Sequence, residues 1–130
     1  MTRSTKMRTP LKNVRRLGSA KEGADHFWTQ RMTGVANLVL AVFLVWLLAS
    51  LGGAGHAQVK SALASPLVSV PLLLLILSAM VHMRLGMQTI IEDYVSSEGP
   101  KLVCLMLNTF FTILVGVASV FAVLRLTFGA

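Results

Sequence analysis

A histidine sits about two thirds of the way along an unbroken apolar segment that runs from Leu67 to Ile91, and it is the chain's most chemically telling residue. An imidazole surrounded by hydrocarbon is tolerated only with a metal, a proton path or a polar partner, so His82 makes redox chemistry or ion movement the first classes to consider. The same segment ends in Glu92-Asp93-Tyr94, which puts carboxylates and a phenol at the membrane surface. At about 1.5 Å per helical residue, Tyr94 lies roughly 18 Å from the imidazole along the helix axis. A ligand at mid-depth and a polar pocket at one face is the resulting pattern.

Each of these residues also has a plainer reading. The His82 ring nitrogens can bond a backbone carbonyl and a Ser or Thr of the next helix, and Tyr94 can belong to the belt of aromatic residues at membrane interfaces. On a helical wheel His82, Leu85, Gly86, Thr89 and Asp93 form one stripe, and Gly86 allows a flat macrocycle or a neighbouring helix to come close. Arg84 projects from the opposite side. It therefore needs a protein partner, a cofactor carboxylate or a snorkelling path to the interface. Met80, Met83 and Met87 read as packing residues, His56 as a solvated loop residue, and Phe27 and Trp28 as interfacial anchors.

The elements that must position these groups follow from hydropathy. Of 130 residues 55% are hydrophobic, and the mean hydropathy of +0.72 places the chain among membrane proteins. Three spans are expected, at about 32–51, 67–91 and 102–128, each long enough to cross a hydrocarbon core of roughly 30 Å. Gly52-Gly53-Ala54-Gly55 closes the first and Ser65-Pro66 opens the second, with Pro71 near enough to that start to be absorbed. The polar turn Ser96 to Lys101 makes the second and third helices antiparallel neighbours. Residues 1–31 form a basic arm, and 32–130 the three-helix membrane unit.

Eight of the twelve Lys and Arg (Arg3, Lys6, Arg8, Lys12, Arg15, Arg16, Lys21 and Arg31) precede the first span. By the positive-inside rule the N-terminus is cytoplasmic, or on the matrix side, and the C-terminus lies across the membrane. The arm suits anionic lipid headgroups; a nucleic-acid role is disfavoured because no aromatic residue is interleaved before Phe27. A cleavable signal peptide is not expected, since both the arm and the first apolar run are too long, although the first 21 residues imitate a mitochondrial transit peptide. Cys104 lies inside the third span as a small packing residue. Three helices are thin housing for a large cofactor, so a second membrane protein beside this one is implied.

The words Leu17 to Gly23, His26-Phe27-Trp28-Thr29-Gln30-Arg31-Met32-Thr33 and His82 to Gln88 through Glu92-Asp93-Tyr94 resemble the small hydrophobic membrane-anchor subunits of succinate dehydrogenase, respiratory complex II. The resemblance runs from about Arg16 to the C-terminus. Its most specific part is His-x-x-x-Gly followed by Asp-Tyr at the helix end. It implies an all-α membrane protein whose three transmembrane helices pack with three from a second anchor, beneath a flavoprotein subunit and an iron-sulfur subunit.

Carried onto this chain, the resemblance makes His82 an axial ligand of haem b, with the second ligand supplied by a histidine of the other anchor. It makes Tyr94 the donor of a hydrogen bond to ubiquinone and Asp93 the acid beside it. Arg31, with His26 as a second choice, would meet a haem propionate, and Arg84 has no assigned role. The chain is then not an enzyme by itself. It would hold haem and wall the ubiquinone-reduction site in the tricarboxylic acid cycle and respiratory electron transport, in a bacterial inner membrane in preference to a mitochondrial one. Two alternatives remain open: a fumarate reductase anchor, and a haem-free structural or proton-pathway protein in which His82 and Arg84 form the path.

Overall fold

The computed structural model describes residue 11 and residues 22–129, so most of the basic arm lies outside the described residues. Four helices follow in order: α1 (Glu22–Ser50), α2 (His56–Ala64), α3 (Pro66–Tyr94) and α4 (Glu98–Phe128). Three of them, α1, α3 and α4, are long and apolar enough to cross a membrane, as the hydropathy pattern predicts. Helices suit that setting because each satisfies its own backbone polar groups within one segment.

The long helices exceed the expected spans. The first begins at Glu22, ahead of the expected membrane entry at Met32, so His26 and Arg31 are helical. The second runs through Pro71 without a break and reaches Tyr94. Pro66 at the start of α3 costs nothing, because an N–H there has no intrahelical partner anyway. The connector between the first two spans, expected as a loop, contains the short helix α2. Gly53 adopts φ 81, a left-handed turn that glycine makes without strain, and Gln58 Oε1 accepts a bond from the Gly55 N–H at 3.2 Å to close the first turn of α2.

Helix α3 is the middle of the layer. It packs against α1 on one side and α4 on the other, while among the described residues α1 and α4 do not touch. Both pairings are antiparallel. Along α3 toward Tyr94, Ser78 meets Thr33 and Gly86 meets Gln30; on the other side Met80 meets Gly116 and Arg84 meets Asn108. Asp93, Tyr94 and the N-terminal end of α1 therefore share one end of the layer. Thr127 Oγ1 donates to the Leu63 carbonyl at 3.2 Å, fastening α2 to α4 at the other end.

Three helices side by side bury little. Leu47 and Ile91 are the buried apolar side chains among the described residues, and Ser69 and Thr112 the buried polar ones. Thr112 donates to the Asn108 carbonyl at 2.7 Å, so burial leaves its hydroxyl satisfied. Leu38, Val42, Trp46, Leu107, Phe110 and Leu114 stand exposed along the spans. Contiguous apolar surface on that scale needs lipid or another membrane protein against it.

Candidate functional site

The site is a polar seam between α1 and α3. On α1, His26, Gln30, Thr33 and Asn37 recur at helical spacing; on α3, Ser78, His82 and Gly86 recur every fourth residue. The two stripes meet. Ser78 Oγ donates to the Thr33 carbonyl at 3.3 Å. The His82 ring fits against Gly34, where a methyl group would stand 3.3 Å from His82 Cε1. One turn along, the Gln30 side chain occupies the space beside Gly86, its Nε2 placed 3.2 Å from where a Cβ would be. The close approach at Gly86 is thus made by a neighbouring helix.

His82 Nδ1 lies 3.1 Å from the Gln30 carbonyl oxygen and 3.1 Å from Thr33 Oγ1. The carbonyl can only accept, so Nδ1 carries the proton. The Thr33 hydroxyl hydrogen is directed to the Thr29 carbonyl at 2.7 Å, which leaves Oγ1 to accept from Nδ1 as well. Both expected partners, a backbone carbonyl and a threonine, are therefore present, yet both converge on one nitrogen. Among the described residues no hydrogen bond reaches Nε2. An imidazole held in this tautomer is the usual form in which histidine binds a metal through Nε2.

Other polar atoms of the seam are less well served. Among the described residues His26 Nε2, Gln30 Oε1 and Asn37 Oδ1 are buried without a hydrogen-bond partner. A buried polar atom left unpaired costs about 1–3 kcal/mol, so each of these three is a position at which a further polar group or a water would be stabilising. Among the described residues no three His, Cys, Asp or Glu side chains gather in a metal-binding cluster. A single imidazole is what this seam offers a metal.

Asp93 and Tyr94 occupy the last turn of α3, and both are exposed, Tyr94 at 84%. Beside them Gln88 Nε2 donates to Glu92 Oε1 at 2.8 Å, an ordinary pairing one turn apart. Thr89 is exposed and bonds the Leu85 carbonyl. The expected single stripe is therefore divided: His82 and Gly86 turn to α1, Leu85 turns toward α4, and Thr89 and Asp93 face outward. Arg31 is also exposed, its guanidinium 3.6 Å from the centroid of the Phe27 ring, while His26 is half-buried.

Arg84 faces away from the seam, as the wheel predicts. Its carbonyl accepts a bond from Asn108 Nδ2 at 3.0 Å, and its side chain lines a groove of about 660 Å³ between α3 and α4 whose other lining residues include Leu77, Gly116 and Phe121. Among the described residues no acidic side chain lines that groove. Sequence reasoning missed Gln30, Thr33, Asn37 and Ser78. The available signal was the spacing of polar residues at 26, 30, 33 and 37, which marks one face of a helix as surely as an apolar stripe does.

Residues 5–123 match the family model described as succinate dehydrogenase/fumarate reductase transmembrane subunit. The chain is 30% identical over 122 residues to the succinate dehydrogenase hydrophobic membrane anchor subunit of Paracoccus denitrificans, covering 94% of each chain. It is 28% identical over 116 residues to the protein of the same description from Rickettsia bellii, covering 89% of this chain and 93% of the relative. The corresponding Rickettsia conorii protein is 31% identical over 106 residues, 81% of this chain and 84% of that one. With three membrane-spanning helices in the same chain, matched over most of its length, this protein belongs to the succinate dehydrogenase/fumarate reductase family of transmembrane anchor subunits.

Proposed function

We propose that this chain is the anchor that helps hold haem b and forms part of the ubiquinone-reduction site of a succinate dehydrogenase in a bacterial inner membrane. Its partners are a second membrane anchor, an iron-sulfur subunit and a flavoprotein subunit. The succinate site lies on those partners, and this chain is not catalytic by itself. The observation that supports the haem reading best is the one-sided hold on His82: Nδ1 is engaged by Gln30 and Thr33, and among the described residues Nε2 has no hydrogen-bond partner. The donor set fits a haem shared between two anchors, because one imidazole from each saturates the iron.

When bound, such a haem supplies a one-electron store in the membrane, suited to electron transfer and closed to oxygen. The chain's own residues do the rest. Gln30 and Thr33 hold the imidazole plane and its tautomer; Gly34 gives the ring room. Arg31, with His26 as the second candidate, would hold a propionate by a charge-assisted bond. At the end of α3, Tyr94 donates its hydroxyl hydrogen to a ubiquinone carbonyl oxygen, which a phenol can do while neutral. Asp93 orders that site, and the exposure of both residues in this chain leaves them free to be walled in by partner proteins.

A second reading has its own support. The three orphaned polar atoms along α1 span about 16 Å at helical rise, the dimensions of a hydrated proton path without haem. The visible spectrum of the dithionite-reduced complex separates the two. The haem reading expects a sharp b-type band in the wild type and its loss or marked weakening in His82→Leu. An unchanged band in that variant would refute His82 as the ligand, and the absence of any band from the assembled wild-type complex favours the proton path.

A further inference from the structure

Four Lys and Arg follow the basic arm, and two of them have no evident reason to be where they are. Lys101 joins the arm's end of the layer and Arg84 lies mid-helix, but Lys60 and Arg125 stand at the opposite end. The charge bias that orients membrane helices assigns that end to the outside, where Lys and Arg are depleted. Lys60 comes from α2 and Arg125 from the last turn of α4, yet they line the same groove of about 570 Å³, together with His56, Phe121, Ala122 and Leu126.

The groove is electrostatically unbalanced. The protein's five acidic residues, Glu22, Asp25, Glu92, Asp93 and Glu98, all belong to helix segments at the other end of the layer. Among the described residues no carboxylate lines the groove, and the carbonyl end of α4 cannot neutralise two cations. Its chemistry is divided by depth. His56, Lys60 and Arg125 supply N–H donors at the helix ends, while Phe121, one turn deeper on α4, presents an exposed apolar ring along the span. A soluble anion would use only the first half, and a neutral lipid only the second.

We infer that this groove binds an anionic phospholipid, with Lys60 and Arg125 on the phosphodiester oxygens, His56 as a further donor, and an acyl chain running along the Phe121 face of α4. Arg matches phosphate oxygens with two parallel donors, and Lys adds a mobile point charge. The Thr127 to Leu63 bond keeps α2 against α4 and so holds the two cations together. This inference is independent of the haem and quinone assignments, which concern the other helix faces.

Photo-cross-linking in the assembled complex tests it. The complex is reconstituted in vesicles doped with a diazirine-bearing phosphatidylglycerol or the matching phosphatidylcholine, and the labelled peptides are mapped. Phosphatidylglycerol should label residues 121–126 well above phosphatidylcholine. In Lys60→Gln/Arg125→Gln that label should fall by roughly an order of magnitude, the scale expected for two lost basic contacts with a headgroup. Lys60→Arg/Arg125→Lys should keep it, and excess glycerol phosphate should not compete. If the double variant fails to assemble, Lys60→Gln alone is read for a smaller fall. Equal labelling by both lipids, unchanged labelling in the Gln variants, competition by glycerol phosphate, or an unlabelled 121–126 segment in the wild type would each overturn the inference.

Discussion

At the scale of single residues, the chain separates two kinds of polar group. His82 is held from one side by bonds that fix its tautomer, whereas Tyr94 stands exposed at the helix end and awaits its surroundings. Tyr94→Phe keeps the ring and deletes only the hydroxyl donor. With Tyr94 donating to quinone in a closed site, that deletion costs about 1–3 kcal/mol. Quinone reduction by the complex should fall, while succinate oxidation by a dye that takes electrons upstream should continue. A tyrosine needed only for assembly would lower both rates together, and an unchanged quinone rate would return Tyr94 to the interfacial belt. His82, Asp93 and Tyr94 stand out in the sequence as candidates because ionisable groups inside or just beyond an apolar run are conspicuous. Gln30, Thr33 and Ser78 do not, since single hydroxyl and amide residues within a long helix have unremarkable hydropathy and their role is set by what crosses from the next helix.

At the scale of elements, two glycines make contrasting contacts. A methyl at Gly34 meets the His82 ring at 3.3 Å, and a methyl at Gly116 meets Met80 Cγ at 3.2 Å. The methionine has rotamers to spare and can yield. The imidazole is pinned through Nδ1 by two partners on α1 itself, so the same helix that brings the new methyl also holds the ring against it. Gly34→Ala should therefore shift the reduced-haem band or lower the haem content of the complex, and Gly116→Ala should leave both near wild type. Equal behaviour of the two variants would show that the seam does not hold His82 rigidly. Helix number and order across the membrane were readable from hydropathy, but the start of α1 and the existence of α2 were not. Intrahelical hydrogen bonding carries α1 through Asp25, His26, Gln30 and Arg31, where hydropathy has already fallen. A nine-residue helix such as α2 is marginal alone and depends on docking to α4, which local sequence does not encode.

At the scale of the whole molecule, the order α1, α3, α4 leaves apolar side chains exposed along the spans, so those faces need lipid or another membrane protein against them. The orientation of the layer decides whether the exposed Asp93 and Tyr94 face the side where the soluble partners of such an enzyme donate electrons. The antiparallel packing puts the turn at 95–97 at the same end as the start of α1, and the eight basic residues before Met32 bias that end to the cytoplasm. The connector around Ala54 should then lie outside. With Cys104→Ala as background, Ser97→Cys should resist a membrane-impermeant maleimide in intact spheroplasts and react in inverted vesicles, while Ala54→Cys should show the opposite. Labelling of Ser97→Cys from the outside would invert the orientation. It would also move Tyr94 away from the electron-donating partners, and the quinone assignment would fall with it, because a phenol on the far side of the bilayer is about a span's length from any electron delivered at the cytoplasmic face.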